Sequence, residues 1–228
     1  MIANKKTFSK GVILMILFSI VLVAMFMPLF NGQNGLQTMD NLYNSISKGS
    51  AYYIPKADKT ISKLSGQPVE VTIKLKSAEQ AEQTARLFNA GGAMVNVNAE
   101  TLKVAGDFTT LFKNCLADAK LMYDNNGDAV QSKYGYDPRR VMFNWWQASS
   151  KMEEELNKQS QFNKAAAVHS VMTKAIEPAY NYFGIQGQKI KDRLGVVIFS
   201  LVFYVIYTMW YGFAILYMFE GWGLQLEH

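Results

Sequence analysis

Residues 194–219 read LGVVIFSLVFYVIYTMWYGFAILYMF and residues 11–30 read GVILMILFSIVLVAMFMPLF, with no charged side chain in either run. Each reaches the roughly 20 apolar residues that a helix needs to cross a hydrocarbon core about 30 Å thick. Charged residues make up 18% of the 228-residue chain, below the roughly 25% usual in soluble domains, and the shortfall sits in these two runs. The reading that follows is an α+β membrane protein, with transmembrane helix 1 at 11–30 and transmembrane helix 2 at 194–219 flanking everything between.

The first run resembles a secretory leader but lacks a small-residue cleavage site, since it leaves through Met25-Phe26-Met27-Pro28-Leu29-Phe30. It is expected to remain as an anchor. Lys5, Lys6 and Lys10 precede it and only Lys48 follows within twenty residues, which places the N-terminus in the cytoplasm. Lys174, Lys189, Lys191 and Arg193 before the second run argue the other way, but the first helix usually dominates. The expectation is a bacterial inner-membrane protein with residues 1–10 and 220–228 cytoplasmic and residues 31–193 periplasmic or extracellular. Leu226-Glu227-His228 reads as a tag scar and carries no functional weight.

Between the spans the periodicity changes several times. Residues 31–68 read as a helical connector, with Leu36, Met39, Tyr43 and Ile46 on one stripe and a second short helix at 58–64. Val69, Val71, Ile73 and Leu75 then alternate with polar residues as in a half-buried strand. Ser77 with Gln80 opens a helix whose Ala78, Ala81, Ala85 and Phe88 are expected to face the core. Ala93, Val95 and Val97, followed by the turn at 98–101 and by Leu102 and Val104, predict a hairpin. Asp107 caps a helix carrying Leu111, Cys115, Ala119 and Met122, which is expected to stop at Gly127 in a left-handed conformation. The module at 69–127 thus runs strand, helix, strand, strand, helix. Over Val69 to Tyr123 that order is similar to the ring-building modules of membrane-anchored secretion and sporulation rings, a resemblance of topology that implies self-assembly. Residues 128–193 predict a long helical stalk: Pro138 follows its cap Asp137, and apolar residues recur at three and four through Phe183, with a phase slip between Leu156 and Phe162. Continuous from 138 to 183, such a helix would reach about 70 Å. Pro178, Gly184 and Gly187 offer a hinge at its end.

Chemistry is sparse. His169 is the only histidine outside the final residues, and its place on an apolar stripe predicts a core or interface position rather than a ligand. Cys115 excludes an intramolecular disulfide and reads as buried and inert. Asp124-Asn125-Asn126-Gly127-Asp128 lacks the flanking acids of a calcium loop. Gly91-Gly92 lacks the lysine of a phosphate loop. Glu153-Glu154-Glu155 point different ways around a helix. No catalytic, metal-binding or cofactor-binding residue is therefore expected, and the chain is read as not an enzyme. The 23 basic side chains are interleaved with 18 acidic ones, which excludes the basic face of a nucleic-acid binder.

Two aromatic groupings stand out. Phe143, Trp145 and Trp146 crowd one helix start, and since adjacent indoles cannot share a face, one should meet the sheet and the other a partner. Tyr204, Tyr207 and Tyr211 form a stripe in the second run, with Gly212 beside them to admit a close neighbour. Phenols in a span want hydrogen-bond partners, so this stripe is expected to be an oligomer or pore face. Neither run carries an ionisable residue of the kind that marks ion and proton relays. The leading expectation is a non-catalytic two-span scaffold or accessory subunit of an envelope assembly that self-associates through its outer domain and second span. The alternatives are a homo-oligomeric channel lined by the second span and a two-span ligand sensor, the latter weakened by the shortness of residues 220–228. The partners expected are the lipid bilayer, further copies of the chain and unidentified envelope proteins.

Overall fold

The computed structural model describes residues 2–224, so the proposed scar at 226–228 lies outside the described residues. The chain is mostly helical with one three-stranded sheet. In order come α1 (Lys5–Phe26), α2 (Gly35–Ser50), α3 (Ile54–Ser62), β1 (Pro68–Lys74), α4 (Ala78–Ala90), β2 (Met94–Asn98), β3 (Thr101–Asp107) and α5 (Phe108–Tyr123). Then follow α6 (Gly127–Tyr134), α7 (Pro138–Lys158), α8 (Phe162–Val171), a π-helical turn at Met172–Ile176, α9 (Glu177–Asn181), a 3₁₀ turn at Ile190–Arg193 and α10 (Leu194–Trp222). Two compact units divide the chain, one of residues up to Ile46 and from Gln188 on, the other Ser47–Gly187.

In the first unit, α1 and α10 are long and apolar enough to cross a membrane, with mean hydropathy of 2.4 and 1.9 over their most apolar windows. They pair antiparallel, as shown by the Asn4–Gly221, Leu14–Trp210 and Phe18–Tyr207 hydrogen bonds. The helix begins earlier than the charge-free run, because the Asn4 side chain accepts from the Thr7 amide at 3.1 Å and caps it. It also stops at Phe26 rather than Phe30. Pro28 pushes Met27 out of the helical region, to ψ 146°. A reciprocal capping pair starts α2: Gln37 N donates to Asn34 Oδ1 at 2.8 Å and Asn34 N to Gln37 Oε1 at 3.1 Å.

The second unit is built on the sheet. Its order is β1-β3-β2, antiparallel throughout, with Val71 opposite Val104 and Val104 opposite Val95. The predicted strand–helix–strand–strand–helix sequence forms as β1-α4-β2-β3-α5. Ser77 and Asp107 cap the two helices as their sequence implied, accepting from Gln80 N at 3.2 Å and Thr110 N at 2.7 Å. Val69, Val71 and Ile73 are buried while Glu70, Thr72 and Lys74 are exposed. The inner face meets α4, α5 and α7, with Ala81, Ala85 and Phe88 of α4 buried and Ala78, in its first turn, exposed instead.

Three expectations fail here. The short helix of the connector starts at Ile54 instead of 58, because Pro55 is accommodated in its first turn. The left-handed residue after α5 is Asn125, at φ 62°, and Gly127 instead opens α6, where an added Cβ would strike Phe183. The 128–193 stalk does not form. Ser160, at φ 59°, breaks the path between α7 and α8 at the phase slip, and both helices bury their stripes in the unit's core. Burying Val141, Trp145, Met152, Val168 and Val171 together removes apolar surface that a solitary stalk would leave in water, at about 25 cal/mol per Å².

Candidate functional site

The Asp137 carboxylate accepts from Arg140 N at 2.9 Å and fixes the start of α7, so adjacent residues Trp145 and Trp146 leave that helix about 100° apart. Trp145 goes inward. It is fully buried, tilted against Phe88 at 5.5 Å, and its Nε1–H donates to Asp118 Oδ2 at 3.0 Å. Asp118, itself fully buried, also accepts from the Tyr134 hydroxyl at 2.6 Å and pairs with Lys133 Nζ at 2.7 Å. Burial and the Asp118 carboxylate push the Tyr134 hydroxyl well up in pKa. Three elements, α5, α6 and α7, are thus clamped on one carboxylate. Cys115, one turn before it, is buried, and desolvation raises its thiol far above the ordinary range.

Trp146 goes the other way. Half-buried, its Nε1–H donates to Glu177 Oε1 at 3.0 Å. With Phe143, Met142, Ile176, Glu177 and Tyr180 it lines an open cleft of about 360 Å³. The π-helical turn at Met172–Ile176 immediately precedes Glu177, and π-helical turns are frequent at functional sites. Arg140 sits over the Phe143 ring at 5.3 Å and Arg139 over Tyr180 at 6.0 Å. The two indoles therefore part, Trp145 into the core against Phe88 of α4 and Asp118 of α5, and Trp146 toward Glu177 and the cleft. His169 is not in the core: it is exposed and lies 3.3 Å from the Glu153 carboxylate. Its register on α8 turns Ala165, Val168 and Val171 inward instead.

The proposed hinge residues are held rather than loose. Pro178 lies in the first turn of α9, where a missing N–H costs little. Gly184, at φ 87°, donates its N–H to Asn125 Oδ1 at 2.8 Å. Gly187 lies against Gly49 and the Lys48 side chain. Lys48, which enters the sequence reading only through the charge balance around the first span, is the only charged residue between Asp40 and Lys56. It is buried, and its ammonium donates to Asn125 Oδ1 at 2.9 Å, Tyr182 O at 3.1 Å and Ile185 O at 2.7 Å. That uses all three donors. Desolvation lowers its pKa, with Asp124 acting in opposition. The Tyr123 hydroxyl in turn donates to Lys48 O.

The tyrosine stripe of α10 is divided among different surroundings. Tyr207 stacks on Phe18 at 4.3 Å and donates to Phe18 O at 3.3 Å, so its partner is α1 of the same chain. Tyr211 tilts against the same ring at 5.1 Å. Tyr204 is 67% exposed and lines an apolar groove of about 680 Å³ with Val21, Met25, Met39, Phe199 and Phe203. Gly212 has open space around it. Close approach happens at Gly11, where an added Cβ would fall 2.6 Å from Met218 N, and at Gly221, where it would strike Phe8. Gly212 follows Tyr211 by 100° around the helix and so misses the α1 seam.

Among the described residues, no three His, Cys, Asp or Glu side chains gather as a metal-binding set. No protein-family model, curated protein or solved structure matches the chain.

Proposed function

We propose that the chain is a non-catalytic, two-span inner-membrane protein that self-associates and acts as a scaffold or accessory subunit of an envelope assembly. The observation carrying this reading is the outer surface of the α1–α10 pair. Ile13, Ile20, Phe199, Leu201 and Ile206 are each more than half exposed, at 57, 59, 67, 57 and 58%. Large apolar side chains exposed along two charge-free helices favour contact with lipid or protein over water. The basic flank of α1 supports a cytoplasmic position for both termini, with Ser47–Gly187 outside it. The absence of Asp, Glu, Lys, Arg and His from 11–30 and 194–219 argues against a proton or ion relay. A channel lined by α10 is the less favoured alternative, because the Tyr207 hydroxyl is already spent on Phe18 O. The half-buried Trp146 and Phe143 cleft is the place on the outer domain for an envelope partner.

The test is the mass of the purified chain in detergent, measured alongside ion flux after reconstitution in liposomes. An oligomer without flux is the expected result. A strict monomer would overturn the scaffold reading, and flux from an oligomer would favour the channel.

A further inference from the structure

The hydrogen-bonding phase of the sheet fixes which backbone groups of β2 are spoken for. Leu75 N donates to Glu100 O at 2.9 Å and Phe108 N to Gln67 O at 3.0 Å. In the antiparallel register these exchanges continue at Ile73–Leu102 and Val71–Val104. The alternate residues of β3, Thr101, Lys103 and Ala105, therefore serve β2 through Asn98, Asn96 and Met94. Val95 and Val97 are left with N–H and C=O directed away from β3, along the outer edge of the sheet. Among the described residues, no backbone group pairs with that edge. Sheet edges are ordinarily protected by charge, proline or a bulge. Met94-Val95-Asn96-Val97-Asn98 carries none of these, and Met94 is 75% exposed.

We infer that the β2 edge is a homodimer interface, in which β2 of a second copy adds antiparallel about Asn96 to give a continuous six-stranded sheet. The sequence of the edge names the occupant. Val95-Asn96-Val97 is palindromic, so self-pairing sets Val95 opposite Val97 of the second copy and Val97 opposite its Val95. Those are the residues with outward backbone groups, and they form four N–H···O=C bonds in two reciprocal pairs. Asn96 then faces Asn96 across the two-fold axis, and Met94 faces Asn98, with no like charges opposed. The half-buried Val95 already sits in the Val71–Val104–Val95 row of the inner face, and the second copy prolongs that row. Helix α4 packs over β2. A two-fold axis normal to the sheet sets the two α4 helices antiparallel. Such a pairing is isologous, with the same edge residues supplied by both copies.

This inference rests on the self-association reading and is tested separately from it by Asn96→Cys in the full-length chain under mild oxidation. A non-hydrogen-bonded antiparallel pair brings its Cα atoms to about 4.5 Å, within the range that a disulfide spans. Native Cys115 is fully buried and silent. Thr72→Cys, exposed on the same sheet face but on β1, is the control. A covalent dimer from Asn96→Cys and none from Thr72→Cys is the expected result. Equal cross-linking of both, or of neither in a chain whose detergent mass exceeds a monomer, overturns the edge pairing and leaves self-association standing. A monomeric mass removes both. Two further variants should weaken the dimer without touching the core. Val97→Pro deletes an outward N–H in each copy, raising the dissociation constant roughly ten- to hundredfold. Asn96→Lys opposes two like charges across the axis and should act in the same direction. An unchanged dissociation constant in both folded variants would overturn the proposal.

Discussion

Helices α5 and α10 are both rich in large apolar residues, and they dispose of them in opposite ways. In α5, Phe108, Leu111, Phe112, Cys115, Ala119 and Met122 are buried, while Lys113 and Lys120 look outward. In α10 only Val197, Ala214 and Gly221 are buried, and Phe199, Leu201, Tyr204 and Ile206 stand exposed. The difference lies in where the charge falls. A helix with one polar face has an unambiguous orientation in water, with its other face driven into a core. A helix with no charged residue over 194–219 has no face that prefers water, and its pairing with α1 is set by glycine contacts and ring stacking instead. The Ser47–Gly187 unit is organised by exclusion of water, and the α1–α10 pair by fit.

The largest expected effect breaks the first half of that comparison alone. Val71→Asp or Ile73→Asp places a carboxylate on the buried face of β1 and should unfold the Ser47–Gly187 unit, at a cost of several kcal/mol. Limited proteolysis should then digest this unit while membrane retention persists. Normal protease resistance would mean that the inner face is not packed as described.

A smaller loss is expected at the Asp118 clamp. Asp118→Ala leaves the Tyr134 hydroxyl, the Trp145 N–H and the Lys133 ammonium without their shared acceptor, which should cost about 3–5 kcal/mol. Thermal unfolding followed by tryptophan fluorescence checks it, and an unchanged midpoint would mean that water takes over the carboxylate's role.

Base should also act on the Ser47–Gly187 unit. Burial raises the hydroxyl of Tyr136 to about 12 and that of Tyr134 further, and raises Tyr123 as well. Groups whose folded pKa is raised bind more protons folded than unfolded above pH about 10, so their contribution is intact below that value and is lost as pH climbs toward the folded values. Lys48, lowered by burial, opposes this by favouring the folded form as pH rises toward the ordinary lysine range. The three tyrosines should prevail, giving falling stability from pH about 10 to 12. Tyr136→Phe should flatten part of that fall, and a pH-independent midpoint would contradict the burial of these hydroxyls.

The sequence made the outline legible wherever one period ran unbroken. The alternation at Val69 to Leu75 and the caps at Ser77 and Asp107 lead directly to β1, α4 and α5. The path of α7 and α8 was not legible, because a stripe of apolar residues is the same on a stalk and on a core helix. Only the unmatched step between Leu156 and Phe162 hinted at a break. Of the candidate site, the splitting of Trp145 from Trp146 follows from helical geometry alone. The Lys48 latch does not. Its partners are the carbonyls of Tyr182 and Ile185, more than 130 positions away, and backbone acceptors leave no mark on composition.

The smallest expected effect lies within the apolar pair. Tyr207→Phe removes the bond to Phe18 O and should loosen the pairing by about 0.6 kcal/mol, whereas Tyr204→Phe, on the exposed flank, should do nothing to it. Thermal melting of the chain in detergent distinguishes the two, and equal effects would mean that the stripe is not divided as described.

The central claim is that the α1–α10 pair resides in lipid while the Ser47–Gly187 unit stands in water outside the cytoplasm. Its most direct test is protease treatment of intact spheroplasts, followed by an alkaline wash of their membranes. The account predicts digestion or shedding of the Ser47–Gly187 unit from outside once Val71→Asp has unfolded it, with the α1 and α10 fragments remaining in the washed membrane pellet. Release of the intact wild-type chain into the alkaline supernatant would contradict it.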